Sequence, residues 1–279
     1  MAEANNNFFV DMHCHIDLFK DPVSAIRSAE RAHVYTIAVT NAPFVFENTA
    51  DLVATSRYVR AAAGLHPELV GSHGHQIDKL RPLLDQTRYV GEIGLDYTTL
   101  DESLREKQRH VFGRALEWCA EYSDKIVTLH SRRASADVIS MVGSGFTGKA
   151  ILHWFSGTKK EVERAANLGF YFSVNPAMSQ SKKGQSLIAA MPIERVLTES
   201  DGPLVGVGQN SQLHPADVKL AVQDISTLWR VSFDETQSRI CENFRTIIDD
   251  RSTHFQDFPE DKDSQKTRFN LRKFDGQPR

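Results

Sequence analysis

Short apolar segments alternate along this chain with longer segments in which apolar residues recur at helical spacing. The apolar segments predict strands because they are short and rich in β-branched residues. The first begins at Phe8 and ends in His13 and His15, and the others are Val34–Thr40, Val59–Leu65, Tyr89–Leu95, Ile126–Leu129, Ala150–His153, Phe170–Val174 and Arg195–Thr198. About eight strand-then-helix units follow one another, which favours a parallel sheet closed into a single (β/α)8 TIM barrel.

The segments with helical spacing lie between these strands and after the last one. They are Pro22–His33, Phe46–Arg57, Ile77–Leu84, Ser103–Tyr122, Ala136–Val142, the residues after Thr158, Gln185–Met191, Pro215–Trp229 and the residues after Ser232. From about Arg251 the sequence becomes polar and loses this periodicity. The pattern predicts a barrel over residues 1–250 and a polar C-terminal tail over 251–279, either partly disordered or docked.

Composition narrows the class of protein. The 279 residues are 41% hydrophobic and 25% charged, as in an ordinary globular protein. A formal net charge of -3 provides no overall basic surface, which argues against a nucleic-acid-binding module more than against an enzyme. Three separated cysteines, no signal peptide and no long apolar run predict a cytoplasmic protein without disulfides or membrane contact.

His13 and His15 are the first candidates for chemistry. Side chains two residues apart on a strand point to the same side, so these imidazoles project together. Neutral imidazole binds Zn, Ni, Fe and Mn, so the pair is half of a metal site.

Further candidate ligands fall where later strands end, and a barrel places these ends on one face. Glu92 lies in the fourth predicted strand, His130 and His153 end the fifth and sixth, and Asp201 follows the eighth. Alone, Glu92 could be an ion-pair partner and Asp201 a turn residue. Together, four imidazoles and two carboxylates suffice for two divalent cations such as Mg, Mn or Zn, with Glu92 as the bridge and Asp201 as general base.

Five residues near these ligands are candidates for substrate contact. His66 closes the third strand, although a plain turn explains it nearly as well. Arg132 and Arg133 follow His130 and suit a phosphate, with a solvated pair as the alternative. Trp154 suits a stacked base and Ser156 a phosphate, although Trp154 could instead pack under its loop.

Several motifs together resemble the TatD family of metal-dependent DNases. They are His13-Cys-His-Ile-Asp17, Gly64-Leu-His-Pro67, Gly91-Glu-Ile-Gly-Leu-Asp96, His130-Ser-Arg132, His153-Trp-Phe-Ser-Gly157 and Glu199-Ser-Asp-Gly-Pro203. The resemblance covers about residues 8–250 and implies hydrolysis of DNA phosphodiester bonds, often from a 3′ end. It also implies one metal on His13, His15, Glu92 and Asp201, and a second on Glu92, His130 and His153.

Longer stretches around these motifs resemble a narrower group, the TatD-like QatD component of the bacterial Qat anti-phage systems. Examples are Leu152-His-Trp-Phe-Ser-Gly157 and Phe172-Ser-Val-Asn-Pro-Ala-Met178. This resemblance implies a role in defence, with the Qat ATPase and the QueC-like Qat component as possible partners.

The sequence also departs from the family pattern. Arg133 stands where an acidic residue is usual, Leu204 where an aromatic residue is usual, and Val205–Gln212 replaces a loop that carries an arginine. The departures concern substrate choice rather than metal ligation. Two rival interpretations remain: a small-molecule hydrolase of the amidohydrolase or lactonase kind, and a mainly structural subunit of a defence complex.

Overall fold

Eight parallel strands, each followed by helix, form the frame of the chain. The computed structural model describes residues 8–208 and 212–248. The strands are β1 Phe9–Cys14, β2 Val34–Ala38, β3 Val59–Ala61, β4 Tyr89–Gly94, β5 Ile126–His130, β6 Lys149–His153, β7 Tyr171–Val174 and β8 Val196–Thr198. The α-helices are α1 Pro22–Ala32, α2 Phe46–Val53, α3 Val70–His73, α4 Leu80–Leu83, α5 Glu102–Ala120, α6 Ser135–Val142, α7 Lys159–Asn167, α8 Pro176–Ser179, α9 Lys182–Ile188, α10 Val218–Trp229 and α11 Phe233–Ile248.

The strands pair in two parallel sheets, β1-β2-β3 and β4-β5-β6-β7-β8. One seam between the sheets carries a parallel bridge of Ala63 with Val90, and the N–H of Glu92 donates to the carbonyl of Thr40 at 3.0 Å. At the other seam the N–H of Asp201 donates to the carbonyl of His13 at 2.8 Å. The two seams join β3 to β4 and β8 back to β1, so the two sheets form a closed ring. The fold is therefore of the TIM-barrel type that the alternation of strands and helices predicts.

Strand residues of the barrel are almost entirely buried. Every residue of β2, β4, β7 and β8 is buried, as expected of parallel strands covered on both faces. A continuous core of Val, Ile, Leu, Phe and Ala side chains surrounds them. Because the frame is packed on all sides, the strand ends can hold polar side chains in fixed positions.

Local signals account for where several helices begin and end. Asp21 caps α1 by accepting from the N–H of Ser24 at 3.0 Å, and Pro22 occupies the first helical position. Thr158 and Glu161 form the capping box of α7 that the sequence predicts.

Several helices differ from the sequence prediction. The helix predicted at Phe46–Arg57 ends at Val53, and the single turns α3 and α8 are not predicted. The predicted helix at Ile77–Leu84 is a 3₁₀ segment, Gly74–Lys79, followed by the single turn α4. The helix predicted at Gln185–Met191 begins earlier, as α9, because the hydroxyl of Ser181 caps it by accepting from the N–H of Gly184 at 2.9 Å.

In the described ranges, none of the helices has the length and apolarity that crossing a bilayer requires. The tail predicted at 251–279 lies outside the described residues. The division of the chain at residue 250 therefore stays a prediction.

Candidate metal centre

The six residues predicted as metal ligands lie together at the C-terminal ends of the strands. β1 carries His13 and leads to His15, β4 carries Glu92, β5 and β6 end in His130 and His153, and Asp201 follows β8. Five of them are at most 6% exposed, and His130 is partly buried. The barrel thus removes four imidazoles and two carboxylates from solvent in one place.

Glu92 lies between two pairs of histidines. Its Oε1 is 2.6 Å from Nδ1 of His130 and 3.0 Å from Nε2 of His153. Its Oε2 is 3.5 Å from Nε2 of His13 and 3.6 Å from Nε2 of His15. Each carboxylate oxygen therefore faces a different pair, which is the arrangement that a bridging ligand needs.

Asp201 completes the half of the site that contains β1. Its Oδ1 lies 3.5 Å from Nε2 of His15 and 3.8 Å from Nε2 of His13. Its backbone φ of 51° is uncommon for a residue with a side chain, and surrounding contacts hold it there. One set of contacts is made by the preceding residue, Ser200. Its N–H and its hydroxyl donate to the buried carboxylate of Asp11 at 2.8 and 2.6 Å. Asp11 thereby ties the Asp201 segment to β1.

A second layer of polar groups orients the imidazoles. Nδ1 of His13 lies 2.9 Å from the hydroxyl of Thr128, and Nε2 of His130 lies 2.7 Å from Oδ2 of Asp96. Each contact occupies one ring nitrogen and leaves the other directed at Glu92, as outer partners of ligating histidines do.

Glu199 is the corresponding partner of His153. Its Oε1 lies 3.5 Å from Nδ1 of His153, and the same oxygen accepts from the backbone N–H of Trp154 at 3.0 Å and from Nδ2 of Asn175 at 2.9 Å. The hydroxyl of Ser173 donates to its other oxygen. This fully buried carboxylate therefore fixes both the end of β6 and the first residue of the following loop.

Sequence reasoning did not identify Asp96, Glu199 or Thr128 as site residues. Asp96 and Glu199 stand inside the motifs quoted for the family resemblance, next to proposed ligands. Their position in those motifs was the available signal, but it does not distinguish a ligand from the partner of a ligand.

Burial and charge set the ionisation of the cluster. Burial lowers the pKa of His13 to about 4 and that of His15 to about 3, so both imidazoles are neutral near pH 7. Burial opposes the charged form of His130 and His153. Glu92 outweighs this effect of burial, together with Asp96 at His130 and Glu199 at His153. The pKa of His130 rises to about 9 and that of His153 lies well above its usual value. Burial also holds the pKa of Asp201 well above its usual range.

The donor set fits divalent cations. Ligand atoms of His13, His15 and Asp201 lie within 4.8 Å of one another, as do those of His13, Glu92 and His153. Imidazole nitrogens with carboxylate oxygens suit Zn and Mn, and carboxylates extend the range toward Mg.

His66 also reaches Glu92, with its Nε2 3.4 Å from Oε2. Its Nδ1 accepts from the N–H of Glu68 at 3.2 Å, which leaves Nε2 directed at Glu92. Ligand atoms of His66, Glu92 and His130 form a third group within 4.8 Å of one another, so His66 can face either an ion or a substrate at the rim of the site.

A cavity of about 440 Å³ opens over the cluster. It is lined by His15, His66, Glu68, Glu92, His130, Ser131, Arg132, His153, Trp154, Ser156, Asp201 and Leu204. Four of the five predicted substrate contacts, His66, Arg132, Trp154 and Ser156, are thus at the cavity. Arg133 is exposed and is not one of the described residues that line it.

Comparison with known proteins agrees with this geometry. Residues 10–249 match the family of TatD-related DNases. Putative deoxyribonuclease tatdn3 of Danio rerio is 30% identical over 254 residues, which are 84% of this chain and 95% of the relative. The 3′-5′ ssDNA/RNA exonuclease TatD of Erwinia tasmaniensis is 29% identical over 194 residues, 66% of this chain and 74% of the relative. The crystal structure of YjjV, a TatD homologue from Escherichia coli K12, superposes with a TM-score of 0.78 at 26% identity, covering 86% of this chain and 97% of that one.

The family match covers most of the chain, and the folds agree over nearly the same residues. The converging histidines and carboxylates are what a metal-dependent reaction requires. The chain therefore belongs to the TatD family of metal-dependent hydrolases and deoxyribonucleases.

Proposed function

We propose that this chain hydrolyses phosphodiester bonds of DNA with two divalent metal ions. The observation that carries the proposal is the position of Glu92, whose two carboxylate oxygens face two different pairs of histidines. A carboxylate placed in this way suits a two-metal centre, and such centres are common in nucleases and phosphatases.

Each half of the site has its own set of ligands in this proposal. His13, His15, Glu92 and Asp201 would hold one ion, and Glu92, His130 and His153 would hold the other. When bound, the ions would act as Lewis acids that stabilise negative charge on a phosphoryl group and increase the acidity of water. Mg, Mn and Zn are the candidates, since imidazole–carboxylate sites accept several metals.

The protein supplies proton transfer and positioning. Asp201 lines the cavity, and its carboxylate suits acceptance of the proton of an attacking water. Nε2–H of His66 and the guanidinium of Arg132 can both donate to phosphate oxygens. The loop of Arg132 is fixed, because its carbonyl accepts from the N–H of Tyr97 at 3.0 Å. Ser156 adds a hydroxyl at the cavity wall.

DNA is the proposed substrate because the chain resembles relatives that are named deoxyribonucleases. The Erwinia relative is named an exonuclease of single-stranded DNA and RNA, so both polymers belong in the test.

The test is metal-dependent cleavage of end-labelled single- and double-stranded DNA and of RNA by the purified chain. Mg, Mn and Zn are compared, with the double variant His13→Ala/His15→Ala as the inactive control. We expect cleavage that requires metal and disappears in the control. Absence of cleavage with every metal, while metal binds stoichiometrically, would contradict the proposal and favour a small-molecule substrate.

We further propose a role in anti-phage defence, with the Qat ATPase and the QueC-like component as partners. The narrower resemblance around Leu152–Gly157 and Phe172–Met178 supports this role. The test is phage challenge of cells that express the four-gene system with the wild-type chain or with Asp201→Asn. Equal protection by both would show that hydrolysis is not what the system needs from this chain.

A further inference from the structure

Trp154 presents a large aromatic surface at the mouth of the cavity. Its side chain is 39% exposed, while its neighbours His153 and Phe155 are 6% and 1% exposed. A tryptophan left half in water directly beside a proposed metal ligand forgoes the burial that usually stabilises this residue. Its exposure at this position needs a reason other than packing.

The backbone of Trp154 is held in place from both sides. Its φ is 35°, a conformation that bulky residues seldom adopt and that persists only where the surroundings hold it. Its N–H donates to Glu199 at 3.0 Å, and the ring of Phe155 packs edge-on against Phe172 at a centroid distance of 5.6 Å. The backbone from which the indole projects is therefore positioned before any substrate arrives.

One carboxylate links this position to the catalytic centre. Oε1 of Glu199 contacts both the N–H of Trp154 and Nδ1 of His153. The group that lies against Nδ1 of His153 therefore also fixes the backbone that carries the indole.

The cavity offers complementary groups for the different parts of a nucleotide. Arg132 offers a cation for phosphate oxygens, and Trp154 together with Leu204, which is 62% exposed, offers apolar surface. A sugar phosphate alone has no flat apolar face to cover an indole, whereas a nucleobase has one.

We propose that Trp154 stacks on the base of the nucleotide whose phosphate is cleaved, so that the site selects substrates that carry a base at this position. The proposal rests on the phosphodiesterase activity proposed above and adds a residue that determines specificity. Stacking of one base on an aromatic side chain corresponds to roughly 10- to 100-fold in affinity.

The decisive measurement compares two probes, deoxyguanosine 5′-monophosphate and 2-deoxyribose 5-phosphate. Their affinities for the Mg²⁺-loaded full chain are measured by calorimetry for wild type, Trp154→Ala and Trp154→Phe. Leu220→Ala, which truncates another exposed apolar side chain (43% exposed) on α10 away from the cavity, is the matched control. We expect Trp154→Ala to weaken the nucleotide roughly 10- to 100-fold and the sugar phosphate less than about twofold, with most of the loss restored in Trp154→Phe.

Three results would overturn the proposal. Equal weakening of both probes would mean that Trp154 acts on phosphate binding through His153. No weakening of either probe, or no preference of the wild type for the nucleotide, would mean that the indole contacts no base. Cleavage of end-labelled DNA is assayed in parallel. Failure of the wild type to cleave DNA would contradict the proposed function alone, because the comparison of affinities needs no turnover.

Discussion

Asp96 lies 2.7 Å from Nε2 of His130, while Nδ1 of the same ring lies 2.6 Å from Glu92. The imidazole is therefore held between an outer carboxylate and the proposed bridging carboxylate. Burial opposes ionisation of Asp96, but hydrogen bonds from His130 and Thr98 outweigh it and bring its pKa to about 2. Asp96 is accordingly ionised at neutral pH and can fix the orientation of the ring.

We expect Asp96→Asn to weaken metal binding at the half of the site formed by His130 and His153. Loss of an outer partner of a ligating histidine typically lowers metal affinity by about 10- to 100-fold. The measurement is a competition titration with a chromophoric chelator. Asp137→Asn is the matched control, because Asp137 accepts from the hydroxyl of Tyr97 at 2.7 Å and contacts no proposed ligand. Equal metal affinities of the wild type and Asp96→Asn would show that Asp96 does not support metal binding.

Gly64 is needed for the close approach of strands beneath Glu92. A Cβ at Gly64 would lie 2.3 Å from the backbone nitrogen of Glu92 and 2.5 Å from the carbonyl oxygen of Thr40. Both neighbours are backbone atoms, so the strands themselves would have to move. We expect Gly64→Ala to destabilise the fold by about 1–3 kcal/mol or more and to displace Glu92 from the histidines.

Chemical denaturation and metal titration test this expectation about Gly64. Gly145→Ala is the control, since a Cβ there meets nothing within 4 Å. If Gly64→Ala were as stable as Gly145→Ala and bound metal normally, tight packing at this seam would not be what places Glu92.

The convergence of the proposed metal ligands could be predicted from the sequence, because one rule determines where they lie. Parallel strands end on one face, so His13, His130 and Asp201 had to meet once the strands were identified. The role of Asp96 could not be predicted this way, since a carboxylate two residues past β4 reaches either the cavity or the outer side of His130. The role of Gly64 depends on contacts across a seam between two sheets, which sequence spacing does not reveal.

The shape of the substrate site was predictable only in part. The sequence places Arg132 and Arg133 together after β5, but the structure brings only Arg132 to the cavity. The reason is local, because φ of Arg133 is 56° and the chain turns there. A left-handed residue at this position leaves no signal in the pattern of apolar and polar residues.

Removal of metal is expected to lower the melting temperature. A ligand that binds only the folded chain stabilises it by about 2.7 kcal/mol at a hundredfold excess over Kd, which corresponds to roughly 5–10 °C for a domain of this size. Melting is followed by calorimetry with excess Mn²⁺ and with excess chelator. The difference in melting temperature between these two conditions should become much smaller in His15→Ala. It should persist in His110→Ala, which changes an exposed histidine of α5. An unchanged difference in His15→Ala would mean that the stabilising ion binds elsewhere.

Asp201→Asn tests the assignment of the general base. The backbone N–H of Asp201 holds the segment to His13, and the substitution leaves this contact in place. An amide keeps an oxygen that can ligate metal but cannot accept the proton of an attacking water. We therefore expect an unchanged fold, bound metal and a fall in kcat of about 10²- to 10⁴-fold.

The measurement combines steady-state cleavage of labelled DNA with the metal content of the purified variant. Asp21→Asn is the control, because Asn also caps a helix well and Asp21 lies at the start of α1. Loss of both metal and turnover would make Asp201 chiefly a ligand. Normal turnover with metal bound would exclude Asp201 as the base, and the water-activating group would then have to be sought among the other side chains of the cavity.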